Sequence, residues 1–352
     1  MIRVIDKIDE LQEKQSDWKN LLLRSSESTP FQSIEFISSS WDVMNTKNCS
    51  LYIVIYSSNH DNEVQAIFPF YIDHRGFLRF INDRHADFCE AIILDKVKRD
   101  YHLWDEVYKY IYSDKKVRGV VFSNLRAISL CLPYFHYFFS PSFVYCQNAY
   151  ARLNIGKASE GEHFSTLIPN LNGAERKKIR YWYNRVKGYT LIDFTISQSL
   201  YPKDLIDNIT QVMISKGWRN EQYMQFILPI VERLYNCGLA RIFVTYDSNT
   251  PIAAKIFLKN SDTQEYISWL LFYIGKEFNQ YNMLQSVEYI SRDGGVYNFA
   301  RGTYGYKMKM LRPVVHNLYT LRWSRSLWGQ IGDLFAMNLY HIKQIIKKII
   351  RK

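Results

Sequence analysis

The stretch ARIFVTYDSNTPIAAKIFLKNSDTQEYISWLLFY, residues 240–273, decides the fold. It contains three runs of apolar, β-branched and aromatic residues, and the turn formers SNTP separate the first two. Such runs around a turn predict a β-hairpin with a third strand beside it. Helices before and after an antiparallel meander predict an α/β domain. The helical patterns cover residues 202–216, 221–236 and 280–292, and short strands follow at 296–300 and 314–323.

The first half of the sequence shows the same order of elements. LYIVIYS at residues 51–57 and EVQAIFPFYI at residues 63–72 flank the turn-rich SNHDN and predict a second hairpin. Helical patterns come before this hairpin, and further strand candidates come after it. The predicted fold class is therefore α/β, or α+β, with two similar halves. Each half is a mostly antiparallel mixed sheet flanked by helices.

The predicted boundary between the halves is GKASEGE, residues 156–162, which is small, polar and glycine-bearing. The predicted domains are residues 1–155, residues 156–325 and a tail of residues 326–352. The tail combines apolar residues on one helical face with a basic opposite side, formed by Lys343, Lys347, Lys348, Arg351 and Lys352. A basic amphipathic helix can dock on an anionic bilayer, or pack on its own domain or a partner subunit, and the sequence leaves these alternatives open.

Composition restricts the class of protein. The 352 residues include 45 Lys and Arg and 34 Asp and Glu, a net charge of +11, which favours polyanions but also occurs in ordinary basic proteins. Five scattered cysteines without a C-x-x-C pair disfavour a disulfide scaffold or a zinc knuckle. No phosphate-binding Walker loop and no metal-ligand spacing of histidines occur, so we expect no metal. The charged N-terminal segment lacks the apolar core of a signal peptide, so the expected location is the cytoplasm.

One candidate cluster for chemistry is NDRHADFCE, residues 82–90. It lies between strand candidates, where loops display functional groups. Asp87 or His85 is a candidate general base, because burial and neighbouring charges can move such a pKa toward neutrality. The structural alternative is a polar loop whose aspartate caps its own turn.

A second cluster is the basic helical pattern from Arg176 to Lys187, with aromatic residues interleaved. Arg176 and Arg180 share one helix face at i, i+4 spacing. Two guanidiniums on one face suit phosphate contacts, and basic plus aromatic residues also suit nucleic acid. The structural alternative is a solvated helix face with Trp182 in the core.

A third cluster is FARGTYGYKMKM, residues 299–310, which follows a predicted strand. Two glycines allow the backbone to turn tightly and approach a ligand. Tyr306 is a candidate proton donor to a leaving thiolate, and Lys307 is a candidate phosphate partner. The structural alternative is a turn between two strands.

Six blocks in order resemble one family, the CelD-like (cellulose-biosynthesis-type) acetyltransferases. These are acyltransferases with two GNAT-like halves, and they are related to the Fem-type peptidoglycan transferases. The blocks are TPFQSIEFISSSW, AIFPFYI, HADFCE, ERKKIRYWYNRVKG, SNTPIAAKIFL and YNFARGTYGYK. The match as a whole covers about residues 18–323, so the resemblance implies a GNAT-like fold in both halves.

The resemblance also implies a reaction. An acyl group, typically acetyl, passes from coenzyme A to an amine or hydroxyl of a sugar, nucleotide sugar or surface-glycan precursor. The chemistry needs a base for the acceptor proton, backbone N–H groups at the thioester and an acid for the thiolate. The catalytic residues implied are Asp87, Glu90, Tyr306 and Lys307. The residues implied to bind acetyl-CoA or another acyl-CoA are Arg176, Arg180, Gln285, Ser286 and Arg301.

The sequence departs from the family pattern in two places. The family has a Ser-Pro-Gly element before the helix that follows the meander, where this sequence has FNQYNMLQS, residues 278–286. Thr303 and Tyr304 stand where the last block of the family pattern has an acidic pair. Two alternatives therefore stay open: Fem-type transfer of an aminoacyl group from tRNA, and a catalytically degenerate binding or assembly module. The acyl-CoA hypothesis disfavours nucleic acid as a partner and keeps an anionic membrane at the inner face as a partner of the tail.

Overall fold

Apolar alternation and helical spacing produce an α/β fold, and a computed structural model describes residues 1–43, 48–59, 62–259, 264–302 and 305–350. Within the last range, the side chains of residues 306, 307, 344, 345 and 347–350 are outside the description. The strands are β1 (Ile2–Ile5), β2 (Ser50–Ser57), β3 (Val64–Ile72), β4 (Phe77–Phe80), β5 (Ile92–Ile93), β6 (Gly119–Arg126), β7 (Phe143–Ile155), β8 (Thr190–Phe194), β9 (Ala240–Asp247), β10 (Thr250–Leu258), β11 (Glu265–Tyr273), β12 (Gly295–Arg301) and β13 (Val314–Ser324). The helices are α1 (Glu10–Glu13), α2 (Gln15–Leu23), α3 (Ile34–Val43), α4 (Tyr101–Ser113), α5 (Cys131–Phe138), α6 (Gly173–Val186), α7 (Lys203–Ser215), α8 (Glu221–Asn236), α9 (Lys276–Ser291), α10 (Gly305–Leu311) and α11 (Leu327–Ile350).

The chain forms two compact units. Unit 1 comprises Met1–Asn148 and Asn317–Lys352, and unit 2 comprises Ala149–His316. Most of the last strand and the whole last helix thus belong to the first unit, while the predicted linker at residues 156–162 lies within the second.

Unit 1 is built on an antiparallel meander of β2, β3 and β4, with β1 beside β2. After β5 and α4 the chain returns in β6, which pairs in parallel with β4 only at Phe77 with Gly119 and Leu78 with Val120. On its other edge β6 pairs antiparallel with β13. A core of large apolar side chains, including Trp18, Ile53 and Tyr71, is buried between the meander and α2.

Unit 2 repeats this order. The meander of β9, β10 and β11 is antiparallel, β8 flanks β9, and after α9 the chain returns in β12 parallel to β11. On its other edge β12 pairs antiparallel with β7. The core joins α6 and α9 to the sheet through residues such as Ile179, Leu284 and Phe257. The predicted fold class is therefore confirmed, and each unit contains a meander, a helix and a parallel return strand.

Among the described residues, no helix is both long and apolar enough to cross a lipid bilayer.

Candidate functional site

In unit 2 the two parallel strands β11 and β12 part soon after they begin. Their pairing covers three positions and ends at Ile267 with Asn298. Just beyond, β11 contains an extra residue, Trp269, because Ser268 lies opposite Phe257 and Leu270 lies opposite Ile256. A bulge of this kind bends a strand and is common beside active sites. Beyond the bulge, β11 therefore bends away from β12 and is no longer paired with it.

The main-chain groups on this edge of β11 point away from β10. The Leu271 carbonyl accepts a hydrogen bond from Nη2 of Arg219 at 3.2 Å, and the Tyr273 amide donates to Sδ of Met213 at 3.4 Å. Neither partner belongs to a strand. A strand edge that is not covered by a neighbouring strand can bind an extended ligand through such groups.

A cluster of cations surrounds the end of β11 and the start of α9. We call Lys216, Trp218, Arg219 and Lys276 the basic cluster. Nζ of Lys216 donates to the Ile274 carbonyl at 2.6 Å and lies 4.8 Å from the Trp218 ring centre, and Nζ of Lys276 lies 5.6 Å from the same centre. Cation–π contacts of this length orient an ammonium group without neutralising it. Both lysines are exposed, so the cluster is available to an anion.

The N-terminus of α9 lies at this cluster. No side chain among the described residues caps the helix at Gly275, and one carboxylate, that of Glu277, lies in the first turn. The first amides of a helix lack intrahelical acceptors and favour anions, phosphates in particular. Helix amides and three cations thus converge where β11 ends.

Gly275 itself is required by close packing. A Cβ at this position would lie 2.8 Å from Oε1 of Glu277 and 3.0 Å from ring atoms of Phe278. The side chains of Glu277 and Phe278 therefore occupy the space beside Gly275, and the turn between β11 and α9 is tightly packed.

Buried hydrogen bonds fix α9 against the sheet. Asn282 Nδ2 donates to the Phe243 carbonyl at 2.9 Å, Thr245 Oγ1 donates to Gln285 Oε1 at 2.8 Å, and Gln285 Nε2 donates to the Tyr189 carbonyl at 2.8 Å. Ser286 Oγ donates to the Asn282 carbonyl at 2.6 Å and is fully buried. Gln285 and Ser286, predicted to bind the cofactor, therefore position α9 in this structure, and the candidate site does not include their side chains.

The structure corrects the placement of the phosphate element. The helix predicted from residue 280 begins at Lys276, so residues 278–286 lie inside α9 and cannot be the loop before it. The loop before the helix contains a glycine, Gly275. Residues 278–286 were therefore the wrong stretch to compare with the Ser-Pro-Gly element, because α9 buries polar residues and shows no clear amphipathic pattern from which to read its start.

The far end of the β11 and β12 pair is held by polar contacts. Asn298 Oδ1 accepts the Ala300 amide at 2.9 Å and its Nδ2 donates to Glu265 Oε1 at 2.8 Å, while Arg152 Nε donates to the same Glu265 oxygen at 3.0 Å. Ala300 has a φ of +54°, which a non-glycine residue adopts only when its surroundings enforce it. This strain coincides with the point where the strands part. Arg301, a predicted cofactor residue, follows directly and is half-buried.

In unit 1 the position beside the parallel return strand, beyond its short pairing, is occupied by a loop of the chain. Beyond the short β4 and β6 pair, the loop of residues 82–90 runs beside β6: the Cys89 amide donates to the Asn124 carbonyl at 3.2 Å, and Asn124 Nδ2 donates to the Ala86 carbonyl at 3.2 Å. Ala86, Phe88 and Cys89 are buried there. The two units therefore differ at this position: in unit 2 no described strand pairs with the later part of β11, whose main-chain groups contact Arg219 and Met213 instead.

This loop carries Asp87 and Glu90, the predicted catalytic acids. Both are buried. Glu90 forms an ion pair with Arg126, whose Nε donates to Glu90 Oε1 at 2.8 Å and whose Nη2 donates to Oε2. The Arg126 and Glu90 side chains are only 8% and 2% exposed. This buried ion pair fastens the loop of residues 82–90 to β6, which is a structural role.

Arg176 and Arg180 lie on α6. Arg176 is half-buried and Arg180 is exposed, next to the exposed Lys177, Lys178 and Arg185. Burial, and next the positive charges of Arg180 and Lys187, lower the pKa of His163. The basic helix predicted from the sequence is therefore present, with a cationic face directed to solvent.

Tyr306 and Lys307 are part of helix α10, but their side chains are outside the description. Thr303 and Tyr304 lie outside the described residues altogether. Residues Gly305–Leu311 form the helix α10, so the structural alternative of a turn between two strands does not describe this segment.

The basic cluster is the part of the site that sequence reasoning missed. Three of its members come from KGWRN, residues 216–220, the loop between α7 and α8. A Lys-Gly-Trp-Arg loop between two amphipathic helices is a basic and aromatic signal, but only the fold brings it to Lys276. Among the residues described, no group of three or more His, Cys, Asp or Glu side chains is placed to hold a metal ion.

Comparison with known proteins places the fold. The chain matches no family profile, and no curated protein matches it by sequence. It is similar to the C-terminal domain of a putative lysylphosphatidylglycerol synthetase from Agrobacterium fabrum, with 12% identity, 93% of this chain and 95% of that chain covered, and a TM-score of 0.56. It is equally similar to L-PGS from Bacillus licheniformis, with 12% identity, coverage of 92% and 96%, and a TM-score of 0.56. A tandem GNAT protein from the clavulanic acid biosynthesis pathway has 10% identity, coverage of 91% and 98%, and a TM-score of 0.50.

These similarities show that the chain has a GNAT-like α/β fold, as predicted from the six blocks. At such identities they describe the fold and leave the chemistry to the site itself.

Proposed function

We propose that this chain is an acyltransferase whose second unit binds an acyl-CoA donor along the later part of the β11 edge. The observation that carries the proposal is the parting of β11 and β12 at the Trp269 bulge, with the N-terminus of α9 and the basic cluster at the end of the same edge. An extended thiol arm fits a strand edge, and a diphosphate fits helix amides and cations. The edge of β11 and the start of α9 follow each other in the chain, and with the basic cluster they offer both kinds of contact.

The residues fit the donor by charge and by shape. Coenzyme A is strongly anionic at its nucleotide end, and Lys216, Arg219 and Lys276 supply three positive charges there, while the first turn of α9 carries the carboxylate of Glu277. The pantetheine arm is uncharged and carries amides, which suits the main-chain groups of a strand edge. At Leu271 and Tyr273 the arm would replace the present contacts with Arg219 and Met213. The thioester would then lie toward Trp269, where the bulge turns backbone groups out of the sheet.

The reaction we propose is direct transfer. A nucleophilic nitrogen or oxygen of the acceptor forms a bond to the thioester carbonyl carbon, the carbon–sulfur bond breaks, and the acceptor loses a proton while the thiolate gains one. Backbone N–H groups near the bulge would stabilise the oxyanion. Tyr306 remains our candidate for the proton to sulfur, on the basis of the family resemblance, and Lys307 remains a candidate phosphate contact.

The acceptor class follows from the resemblance to the CelD-like family, which supports an amine or hydroxyl of a sugar or glycan precursor. The test is to incubate the protein with acetyl-CoA and a panel of amino sugars and nucleotide sugars. Free coenzyme A is measured by chromatography, and the acceptor is examined by mass spectrometry for one added acetyl group. Turnover that Tyr306→Phe weakens, with unchanged folding, supports the assignment; coenzyme A release that no acceptor accelerates contradicts it.

A second candidate is Fem-type transfer of an aminoacyl group from tRNA. Two observations favour it: the cationic face of α6, and the fold similarity to the C-terminal domain of a putative lysylphosphatidylglycerol synthetase. The test is the salt dependence of tRNA binding by the wild type and by Arg180→Glu. A steep salt dependence that the substitution reduces would favour this candidate, and the absence of binding at low salt would remove it.

A further inference from the structure

Helix α11 directs its apolar side to solvent. Of its side chains that the structure describes, eight large apolar ones are exposed, among them Leu327, Trp328, Ile331, Phe335, Ile342 and Ile346. They recur at spacings of three or four residues, so they form one continuous face. The exposed fractions reach 82% for Trp328 and 65% for Phe335. Isolated exposed apolar residues are normal, but a face of this length indicates a binding surface.

The polar side of α11 is the one that contacts unit 1. The Asp333 side chain is 2% exposed and accepts hydrogen bonds from Arg322 Nε at 2.8 Å and Ser324 Oγ at 2.6 Å. Gln330 Nε2 donates to the Ser324 carbonyl at 3.1 Å. Tyr340 Oη donates to the carbonyls of Cys146 and Gln147 at 3.0 and 2.8 Å. These contacts hold the helix in an orientation opposite to that of an ordinary surface helix, whose apolar side packs on its own domain.

The charge of the segment identifies the partner. After Asp333, which is buried against Arg322, the sequence contains Lys343, Lys347, Lys348, Arg351 and Lys352 and no acidic residue. An exposed apolar face, basic residues and an exposed tryptophan are the features of helices that lie in the interface of an anionic bilayer. Pairing with a second copy of this chain would bring two such cationic segments together, which charge repulsion opposes.

We propose that α11 docks unit 1 on an anionic lipid bilayer, lying in the plane of the interface with its Trp328 and Phe335 side among the acyl chains. The helix has 24 residues and extends about 36 Å at 1.5 Å per residue, so it presents an elongated surface. The proposal concerns a surface apart from the β11 edge and does not depend on acyl transfer.

The test is co-sedimentation of the full chain with vesicles of phosphatidylcholine alone and with vesicles that contain phosphatidylglycerol. We expect binding to the anionic vesicles that weakens with salt, and much weaker binding to the neutral ones. Phe335→Glu and Ile342→Glu, each made separately, should weaken binding by about tenfold or more. Each substitution removes apolar area that would be buried in the bilayer and adds a negative charge that the anionic lipid repels.

Leu200→Glu is the matched control, because Leu200 in unit 2 is 86% exposed and lies outside α11. It should bind as the wild type does. The proposal would be overturned if both α11 variants bound as the wild type does, or if the full wild-type chain did not co-sediment with anionic vesicles. A concentration-dependent dimer that Phe335→Glu dissociates, without vesicle binding, would assign the face to a second copy instead. Melting curves of both variants check that the helix contacts through Asp333 persist.

Discussion

Arg219 donates a hydrogen bond from Nη2 to the main-chain carbonyl of Leu271 at 3.2 Å, on the edge of β11 that turns away from β10. The contact joins the loop after α7 to the strand that precedes α9. It places a guanidinium beside the edge where we propose the donor lies, within the same cluster as Lys216 and Lys276. A change at Arg219 should therefore affect donor binding before it affects folding.

Arg219→Ala should weaken coenzyme A binding by roughly ten- to a hundredfold, since a hydrogen bond to a charged group contributes about 1.5–3 kcal/mol. The dissociation constant is measured by calorimetry. Arg233→Ala is the control, because Arg233 is an exposed arginine on α8 of the same unit. Equal effects of the two substitutions would indicate general electrostatics and would argue against a specific role for Arg219.

Gly275→Ala should lower the free energy of unfolding by about 1 kcal/mol or more, because the added Cβ would displace the Phe278 ring and the Glu277 carboxylate. The displaced turn should also weaken coenzyme A binding. Gly188→Ala is the control, since a Cβ there meets no atom within 4 Å. Denaturant unfolding measures both variants, and a Gly275→Ala protein as stable as the control would show that the turn is not tightly packed.

Glu90→Ala should destabilise the protein by roughly 3–5 kcal/mol, because it leaves the buried Arg126 guanidinium without its carboxylate partner. Glu10→Ala is the control: it removes an exposed pair with Arg3, whose expected contribution is about 0–1 kcal/mol. A stable Glu90→Gln protein that lacks acyltransferase activity would instead restore Glu90 as a catalytic residue.

The stability of unit 2 should fall as the pH falls through the range where His163 titrates. Burial, and next the charges of Arg180 and Lys187, lower the pKa of His163, whose Nδ1 accepts the Ser165 amide at 3.1 Å. Because the folded-state pKa lies below the unfolded value, the neutral imidazole stabilises the fold at neutral pH, and this contribution is lost on acidification.

His163→Asn should reduce that acid-dependent loss, since asparagine can still accept the Ser165 amide but does not titrate. The measurement is the free energy of unfolding of both proteins at about pH 7.5 and about pH 5. An identical loss in the two proteins would assign the pH dependence to other groups.

Regular elements were predictable where packing and local signals agree. The helix predicted at residues 221–236 is α8, because Asn220 caps it and its apolar residues recur at helical spacing. The strand β8 was missed because it is a short edge strand with much exposed surface. The start of α9 was misplaced because Asn279, Asn282 and Ser286 are buried in it and hide the amphipathic pattern.

The site was less predictable than the fold. The basic cluster brings residues 216–219 close to Lys276. These residues are far apart in the sequence, and no local pattern predicts that they meet. The tail was correctly predicted as a helix, but the outward direction of its apolar side depends on the Asp333 and Tyr340 contacts with distant parts of unit 1. Tertiary contacts of this kind cannot be read from the periodicity of the helix itself.

The most direct test of the central claim is calorimetric titration of the full chain with acetyl-CoA. The account predicts micromolar binding of one acetyl-CoA per chain, weakened at least about tenfold in a Lys216→Ala and Lys276→Ala double variant and unchanged in Lys203→Ala, an exposed lysine at the start of α7. Absence of binding to acetyl-CoA, to longer acyl-CoAs and to free coenzyme A would contradict the claim that the β11 edge is an acyl-donor site.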